Sequence, residues 1–333
     1  MLTTQNRIIV LAVGLFIVTQ TLIFASIPMG NNKEPLTVLV KNGTGLTEIA
    51  DILKDNGLIT SSSLFILCSL AYRGKLMAGE YELRKDMSIL DIVKKLGRGE
   101  RNIYTLKILE GHNLYNIAET AERSGIVGGN EFLRLSKNRA FLTHLGITED
   151  SLEGYLAPDT YYYSKEVEIE GFIEGIVKKT FKNLAKDDIK RRMGELELDI
   201  HKTLTLASII EREAKMKEEK PVISAVFHNR LKRGMPLDAD PTVVYGTRLF
   251  NQPIRRADLS AHTPYNTYTF PGLPKGPICN PDRNSIQAAL NPAPVDYLYF
   301  VSKNDGTHVF SKDVSDHNRF VALYQRAKNA KKR

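Results

Sequence analysis

The chain has 333 residues, enough for about two domains of ordinary size, and its 42% hydrophobic and 25% charged residues are typical of a folded protein. The formal net charge is +8, but four of the positive charges lie in the last six residues, so a short basic tail over residues 328–333 supplies half of the excess. Elsewhere no stripe of Lys and Arg is interleaved with aromatics, which argues against a nucleic-acid partner. The two cysteines, Cys68 and Cys279, are too few for a disulfide framework or a Cys-x-x-Cys metal site.

The strongest local signal is a run of twenty uncharged, mostly apolar residues at 8–27. A helix of about that length crosses the hydrocarbon core of a membrane. A cleavable signal peptide is the alternative, but its apolar core is usually only about 7–15 residues long, and no Ala-x-Ala site ends this run. Arg7 favours a cytoplasmic segment at 1–7. We therefore expect an uncleaved anchor over residues 8–28, with the rest of the chain outside the cytoplasm.

Residues 29–100 are predicted to form a small α+β module. Strands are expected at 36–40 and 79–83, and helices at 47–56, ended by Gly57, and at 63–72. Cys68 lies among apolar residues of the second helix, which indicates a small buried side chain. The order strand, glycine turn, helix, helix, strand resembles the LysM-type glycan-binding module.

The beginning of this module recurs weakly 68 residues further on, where residues 110–118 align with residues 42–50. The matched pairs are Gly43/Gly111, Leu46/Leu114, Ile49/Ile117, Ala50/Ala118 and Gly57/Gly125. Residues 153–155 are a looser echo of residues 78–81. A glycine turn before an amphipathic helix is common in proteins, so coincidence is the alternative to an internal repeat.

Residues 151–163 are rich in turn residues and tyrosine, and Pro158 prevents a regular helix there because it lacks a backbone donor. Two acids stand in this stretch. Glu153 and Asp159 either line a cleft or, in the case of Asp159, stabilise a turn. A helix at 172–181 and a charged, surface-facing helix at 186–198 are expected to follow.

Residues 204–217 predict a helix with one carboxylate, Glu211, on its apolar side. Burial there would disfavour the charged form and raise the pKa of Glu211, as a general acid requires. Alternatively, Glu211 lies at the rim of the apolar face and pairs with Lys215, four residues on. Periodicity leaves both open. Glu213 is expected on the polar side, in solvent.

The last third of the chain alternates helices with loops rich in proline. We predict a helix at 221–232, ordered loops at 235–242 and 263–281, a hairpin of strands at 297–301 and 307–311, and a helix at 316–327. His228 and Asn229 fall near the end of the first of these helices. There His228 either binds the last carbonyls or enters a cleft.

Several kinds of chemistry lack their motifs in this sequence. There is no His-Glu-x-x-His, no Gly-x-Ser-x-Gly and no complete phosphate loop. What remains is one helix-borne glutamate facing loops rich in Tyr, Asn and Thr, a combination suited to the ring faces and hydroxyls of a glycan. Ordinary glycoside hydrolysis also needs a second carboxylate. The candidates for it are Glu153, Asp159, Asp238 and Asp240.

Seven motifs in sequence resemble the YceG-like family of endolytic murein transglycosylases. They are LASIIERE at 206–213, VFHNRL at 226–231, GMPLDADPT at 234–242, YG at 245–246, YNTY at 265–268, GLP at 272–274 and YLYFV at 297–301. LEGYLAPDTY at 152–161 is similar to the upstream motif of the family, so the resemblance runs from about residue 100 to the C-terminus. Lys275, Cys279 and Asp282 depart from the Pro, Ala and Gly of the family pattern.

The resemblance implies an α+β fold: a transmembrane helix, a LysM-like α/β module at 29–100, an α+β catalytic domain at 101–327 and the basic tail. It also implies that Glu211 is catalytic and that no metal or organic cofactor is needed. Glu211 would protonate the oxygen between MurNAc and GlcNAc in peptidoglycan. As a carboxylate it would then take the proton from the MurNAc 6-hydroxyl, which attacks its own anomeric carbon and leaves a 1,6-anhydro end that terminates the glycan. The substrate supplies the nucleophile, so this lyase reaction needs no second carboxylate.

The residues expected to bind the glycan are polar and aromatic members of these motifs. They are Glu153, His228, Asn229, Asp240, Thr242, Tyr245, Tyr265, Asn266 and Tyr268. The expected location is the bacterial inner membrane, with the catalytic domain outside the cytoplasm, and peptidoglycan synthases are the expected protein partners. Two alternatives remain: a non-catalytic, membrane-anchored, peptidoglycan-binding scaffold and a lysozyme-type hydrolase.

Overall fold

A computed structural model describes residues 4–72 and 74–326 of the chain. The predicted basic tail at 328–333 and the first three residues of the predicted cytoplasmic segment lie outside that part. The chain divides into two compact units, one formed by residues 1–105 and 162–172 and the other by residues 106–161 and 173–333. The predicted boundary at residue 100 stays a prediction.

The first helix, α1 (Thr4–Ser26), covers most of the predicted membrane span. The helix has 23 residues, an 18-residue window of it has a mean hydropathy of 2.5, and most of its large apolar side chains are exposed. Length and composition are therefore sufficient for α1 to cross a membrane, as they would also be for a signal sequence near an N-terminus.

The rest of the first unit contains a two-stranded antiparallel sheet and three helices. They are β1 (Leu36–Val40), α2 (Leu46–Asp55), α3 (Ser62–Ala71), β2 (Gly79–Leu83) and α4 (Ile89–Arg98). Val38 lies opposite Tyr81 in the sheet, and both side chains are buried. Both predicted strands and both predicted helices are confirmed to within one residue, and Cys68 is buried as expected. The sequence analysis missed α4.

The second unit begins inside a strand and repeats the start of the first. Its elements here are β3 (Tyr104–Ile108), α5 (Leu114–Arg123), α6 (Gly129–Leu135), α7 (Arg139–His144) and β4 (Asp159–Tyr163). β3 pairs with β4, and the boundary between the units passes through both strands. β3 and α5 begin 68 residues after β1 and α2, the offset found in the sequence. The structural counterpart of β2 is β4 rather than residues 153–155.

Helices dominate the remainder of the chain. They are α8 (Ile169–Leu184), α9 (Asp187–Glu195), α10 (Ile200–Glu213), α11 (Lys220–Lys232), α12 (Asp240–Thr247), α13 (Arg283–Leu290) and α14 (Val314–Val321), with a hairpin of β5 (Tyr299–Ser302) and β6 (His308–Ser311) before the last. The hairpin is confirmed, with Tyr299 opposite Ser311. Residues 235–242 are not wholly a loop, because α12 begins at Asp240. The last helix starts earlier than predicted and continues as a π-helical turn, Ala322–Arg326.

α10 is the buried centre of the second unit, in contact with α11, α12 and α13. The side chain of Asp199 caps its first turn by accepting from the Lys202 amide at 2.7 Å. Every residue from 203 to 210 is buried. The helix ends at Glu213 because Ala214 is extended, four residues before the predicted end. These contacts fix the last turn of α10, which carries Glu211, against its neighbours.

Candidate active site

Glu211 lies in the last turn of α10, next to the buried Ile210, and its side chain is only 9% exposed. Three donors converge on one of its carboxylate oxygens, Oε2. The Lys220 Nζ donates at 3.1 Å, the Asp282 amide at 3.0 Å and the Ser285 hydroxyl at 2.6 Å. The pairing of Glu211 with Lys215 is therefore wrong, because the cation at this carboxylate is Lys220. Since all three bonds reach Oε2, Oε1 is the oxygen suited to exchange a proton with a ligand.

Lys220 also holds Asp282. Its ammonium donates to the Asp282 Oδ1 at 2.9 Å, and both side chains are 4% exposed. Asp282 caps α13 by accepting from the Ser285 amide at 2.6 Å. Burial acts to raise the pKa of Asp282, but these hydrogen bonds lower it to about 2. Burial acts to lower the pKa of Lys220, but the two carboxylates raise it.

Burial raises the pKa of Glu211 above its ordinary value, and the neighbouring Asp282 charge adds to that effect. The Ser285 hydroxyl and the Asp282 amide act in the opposite direction. Burial is the largest of these effects, so it decides the balance. Glu211 is thus a carboxyl group that keeps its proton to higher pH than a solvated glutamate does, as a general acid requires.

A third carboxylate, Glu110, lies in the turn between β3 and α5. Its carboxylate and those of Glu211 and Asp282 have oxygens within 4.8 Å of one another. The turn is held in place because the Gly111 amide donates to the Asn280 carbonyl at 3.1 Å. Three acids could in principle hold a cation. Here, however, the Lys220 ammonium already contacts two of them, so the cluster fits an internal ion pair better than a metal.

A cleft of about 420 Å³ opens at the end of α10, where Arg212 and Glu213, the residues after Glu211, line it. Glu110 and Asn113 of the turn after β3 line one wall, and Tyr245 and Asp240 of α12 line the other. Tyr245 packs edge-on against Tyr265, with ring centroids 4.8 Å apart. These aromatic, amide and acidic groups suit a sugar with polar substituents.

Glu153 is buried in the wall behind this cleft, with 1% of its surface exposed. It accepts from the Leu114 amide at 3.1 Å, the Tyr245 hydroxyl at 2.8 Å and the Asn280 Nδ2 at 3.3 Å. Burial raises its pKa to about 7. Glu153 therefore joins α5, α12 and the segment before α13, and it orients Tyr245 rather than facing the cleft itself.

The other predicted acids lie elsewhere or are already bonded. Asp240 accepts from the Tyr268 hydroxyl at 2.7 Å at the edge of the cleft. Asp238 pairs with Arg230 at 2.9 Å, and Asp159 pairs with Lys179. None of them is brought to Glu211 in the way that Glu110 is.

Four predicted ligand-binding residues serve the fold instead. The Nε2 of His228 lies 2.8 Å from the Ala289 carbonyl, so His228 neither caps its own helix nor enters the cleft. Asn229 donates to the carbonyls of Val295 and Tyr297. Thr242, in the first turn of α12, and Asn266, in the loop that packs against it, are fully buried. Their amide and hydroxyl groups satisfy loop backbone that would otherwise be buried without a partner.

The helix pattern placed Glu213 in solvent, but the structure does not. Glu213 is partly buried and lines the cleft beside Asp240. Burial raises its pKa to about 8, and the Asp240 charge adds to this. The expectation is wrong because α12 covers the side of α10 that the pattern assigned to water.

The sequence analysis missed Glu110, Lys220, Asp282 and Ser285. Asp282 and Ser285 form a cap pattern, Asp-x-x-Ser, that could have revealed the start of α13. Asp282 also stands where the family pattern suggests Gly. No local signal links Lys220 or Glu110 to Glu211, because only the packing of the helices and the turn brings them together.

Comparisons with known proteins agree on one family. The YceG-like family profile matches residues 38–323. An endolytic murein transglycosylase of Bacillus subtilis is 34% identical over 319 residues, which cover 90% of this chain and 88% of that protein. Two endolytic murein transglycosylases of Streptococcus pneumoniae are 30% identical over 334 residues, and this chain spans 60% of their length. The crystal structure of a yceG-like protein from Listeria monocytogenes is similar with a TM-score of 0.60 and 33% identity, covering 86% of this chain and 99% of that one.

Proposed function

The chain belongs to the YceG-like family, and we propose that it carries out the reaction for which its relatives are named, endolytic murein transglycosylation, with Glu211 as the catalytic residue. It is a lytic transglycosylase that acts on peptidoglycan. The observation that carries the role of Glu211 is its setting: a carboxyl group with a raised pKa and three donors on Oε2, within 4.8 Å of the carboxylate of Glu110, which lines a polar and aromatic cleft.

The proposed reaction uses one carboxyl group twice. Protonated Oε1 of Glu211 gives its proton to the oxygen between MurNAc and GlcNAc, and the bond from that oxygen to the MurNAc anomeric carbon breaks. The Glu211 carboxylate then takes the proton from the MurNAc 6-hydroxyl, and the oxygen of that hydroxyl bonds to the anomeric carbon. The products are a free GlcNAc 4-hydroxyl and a 1,6-anhydroMurNAc end, with no water consumed. Such an end has no reducing sugar, so it terminates the strand.

Glu110 supports a second candidate, lysozyme-type hydrolysis. Its carboxylate lies within 4.8 Å of that of Glu211, and retaining glycosidases place two carboxyl groups about 5–5.5 Å apart. Hydrolysis would leave a reducing MurNAc end. We favour transglycosylation because the relatives are named for it, and the chemistry of the new ends distinguishes the two.

The role of Glu211 is tested by Glu211→Gln, which keeps the size of the side chain and removes the transferable proton. We expect kcat of the full-length variant on purified peptidoglycan to fall at least about 10²-fold, which is the smallest contribution usual for general acid–base catalysis. Glu218→Gln, an exposed glutamate in the turn before α11, is the matched control and should keep wild-type activity. Unchanged cleavage by a folded Glu211→Gln would instead favour the non-catalytic scaffold.

We also propose that residues 29–100 form a LysM-like module. The order β1, α2, α3, β2 with antiparallel strands supports it. A substitution in the turn between β1 and α2, such as Thr44→Ala, should weaken sedimentation of the Glu211→Gln chain with glycan strands. Unchanged sedimentation would count against a glycan-binding role for this module.

We further propose that α1 anchors the protein in the bacterial inner membrane, with the catalytic domain, residues 101–327, outside the cytoplasm and near peptidoglycan synthases. The length and apolarity of α1 support the anchor, and the extracytoplasmic position of peptidoglycan supports the orientation. A reporter enzyme active only outside the cytoplasm should work when fused after Arg333. The mature protein should keep residues 1–28, whereas their loss would indicate a signal sequence.

A further inference from the structure

A second cavity, of about 330 Å³, lies beside the first two turns of α13, entirely within the second compact unit. Its walls are the loop before β4, the C-terminal part of α8, the start of α9 and the first two turns of α13. Asp159, one of the acids expected to line a cleft, lines it, whereas none of the nine residues predicted to bind the glycan does.

The two cavities share one lining residue in the turn between β3 and α5. Glu110 lines both of them. Arg212, next to Glu211 in the chain, lines the first cavity, and Asp282, whose amide donates to Glu211, lines the second. The Glu211 carboxylate lies within 4.8 Å of that of Glu110, the residue that both cavities share.

The lining of the second cavity is polar and suited to a glycan. Asn183, Asn284 and Gln287 supply side-chain amides, which both donate and accept hydrogen bonds. Charged side chains of both signs line it as well: the bases Lys179, Lys186 and Arg283 and the acids Glu110, Asp159, Asp188 and Asp282. Peptidoglycan offers hydroxyls and acetamido groups to the amides. The cavity volume of about 330 Å³ lies at the lower end of the range of volumes usual for small-molecule binding sites.

We propose that this second cavity binds the peptidoglycan strand on the far side of the bond that Glu211 cleaves. The inference rests on the proposed function of Glu211. A strand cut in its interior has sugars on both sides of the broken bond, and the first cavity accounts for one side only. The strand then runs from the Tyr245 wall, past Glu110 and Glu211, to α8 and α13.

The test uses the absence of tryptophan from the sequence, so that a single introduced indole reports on its own position. Asn183→Trp and Lys186→Trp place the reporter at the second cavity, each in the full-length Glu211→Gln chain. Lys182→Trp is the matched control, because Lys182 neighbours Asn183 on α8 and does not line the cavity. Peptide-free glycan strands are titrated in, and the tryptophan emission is recorded.

We expect a saturable shift of the emission for at least one of the two cavity reporters and none for Lys182→Trp. No shift at either cavity reporter, or an equal shift at the control, would overturn the proposal. The readout is local, so binding by the first unit does not produce it. It also does not depend on turnover, and a failure of the proposed function would appear separately, as continued cleavage by Glu211→Gln.

Discussion

Lys220 is the cation that two buried carboxylates, Glu211 and Asp282, share. Removing it by Lys220→Met would leave both acids buried without their positive partner. Breaking a buried ion pair in this way costs roughly 3–5 kcal/mol, so we expect a clearly lower temperature of thermal unfolding. The measurement is differential scanning calorimetry at neutral pH.

Lys215→Met is the control for Lys220→Met, because Lys215 is exposed on the segment that follows α10. It should change the free energy of unfolding by well under about 1 kcal/mol. An equal, small effect of both substitutions would show that Lys220 does not hold the two carboxylates.

Glu213 makes stability depend on pH. Its pKa is about 8 in the folded chain, against an ordinary value of 4.5 that applies to the unfolded chain. Between these two values the unfolded chain has lost the proton and the folded chain has kept it, so this group lowers the stability as the pH rises from 4.5 to 8. Glu213→Gln removes the effect. The variant should be more stable than the wild type above pH 8 and differ little from it below pH 4.5.

Thermal unfolding of the wild type and Glu213→Gln at both ends of this range checks the prediction. Glu218→Gln, an exposed neighbour, should show no such dependence. A stability difference for Glu213→Gln that is the same at both pH values would mean that Glu213 titrates as an ordinary solvated acid.

At this scale the sequence predicts Glu211 but not the groups that act on it. Glu211 stands out because helical periodicity puts it on the apolar side of a strongly patterned segment. Lys220 and Asp282 are nine and 71 residues away, and only the packing of α11 and α13 on α10 brings them to it. Glu213 was assigned to solvent because periodicity describes one helix and contains nothing about α12, which covers it.

Among the elements, the turn between β3 and α5 places Glu110 at the site. Gly111 in this turn has φ of +74°, and a Cβ there would lie 3.8 Å from the Glu211 Cγ. Gly111→Ala should cost about 1–2 kcal/mol of stability through backbone strain. Because the turn also lies against Arg212 and Glu211, the substitution should in addition lower kcat on peptidoglycan.

Gly43→Ala is the matched control for this turn. Gly43 occupies the equivalent position between β1 and α2, has φ of +85°, and its Cβ would meet nothing within 4 Å. We expect a similar loss of stability with an unchanged kcat. If Gly111→Ala also left kcat unchanged, the turn would have no part in the chemistry.

Elements with a complete local signal were predicted well. β1 and β2 have the predicted bounds, and α11 has proline as its second residue and is followed by Gly234 at φ of +66°. α4 was missed although Ser88 and Asp91 form a capping box that marks its start. α12 and α13 were missed for another reason: each has only eight residues and lies among prolines, so packing rather than periodicity defines it.

For the whole molecule, the same order of elements occurs twice. β3 and α5 follow β1 and α2 by 68 residues, whereas β4 and α8 follow β2 and α4 by 80. The second copy thus carries an insertion of twelve residues before its second strand. The stretch between α7 and β4 holds Glu153, which supports the cleft. The sequence analysis aligned the first half of the repeat correctly and placed the echo of residues 78–81 at residues 153–155, because the insertion shifts the second half out of register.

The central claim, that Glu211 drives an intramolecular cleavage of the glycan, is tested most directly by the chemistry of the new ends. Peptidoglycan is digested with the full-length protein, and the products are examined by mass spectrometry before and after borohydride reduction. We predict Glu211-dependent 1,6-anhydroMurNAc ends, which are lighter than hydrolytic ends by one water and are not reduced. Predominantly reducible MurNAc ends would contradict the account and would make Glu110 the second carboxylate of a hydrolase.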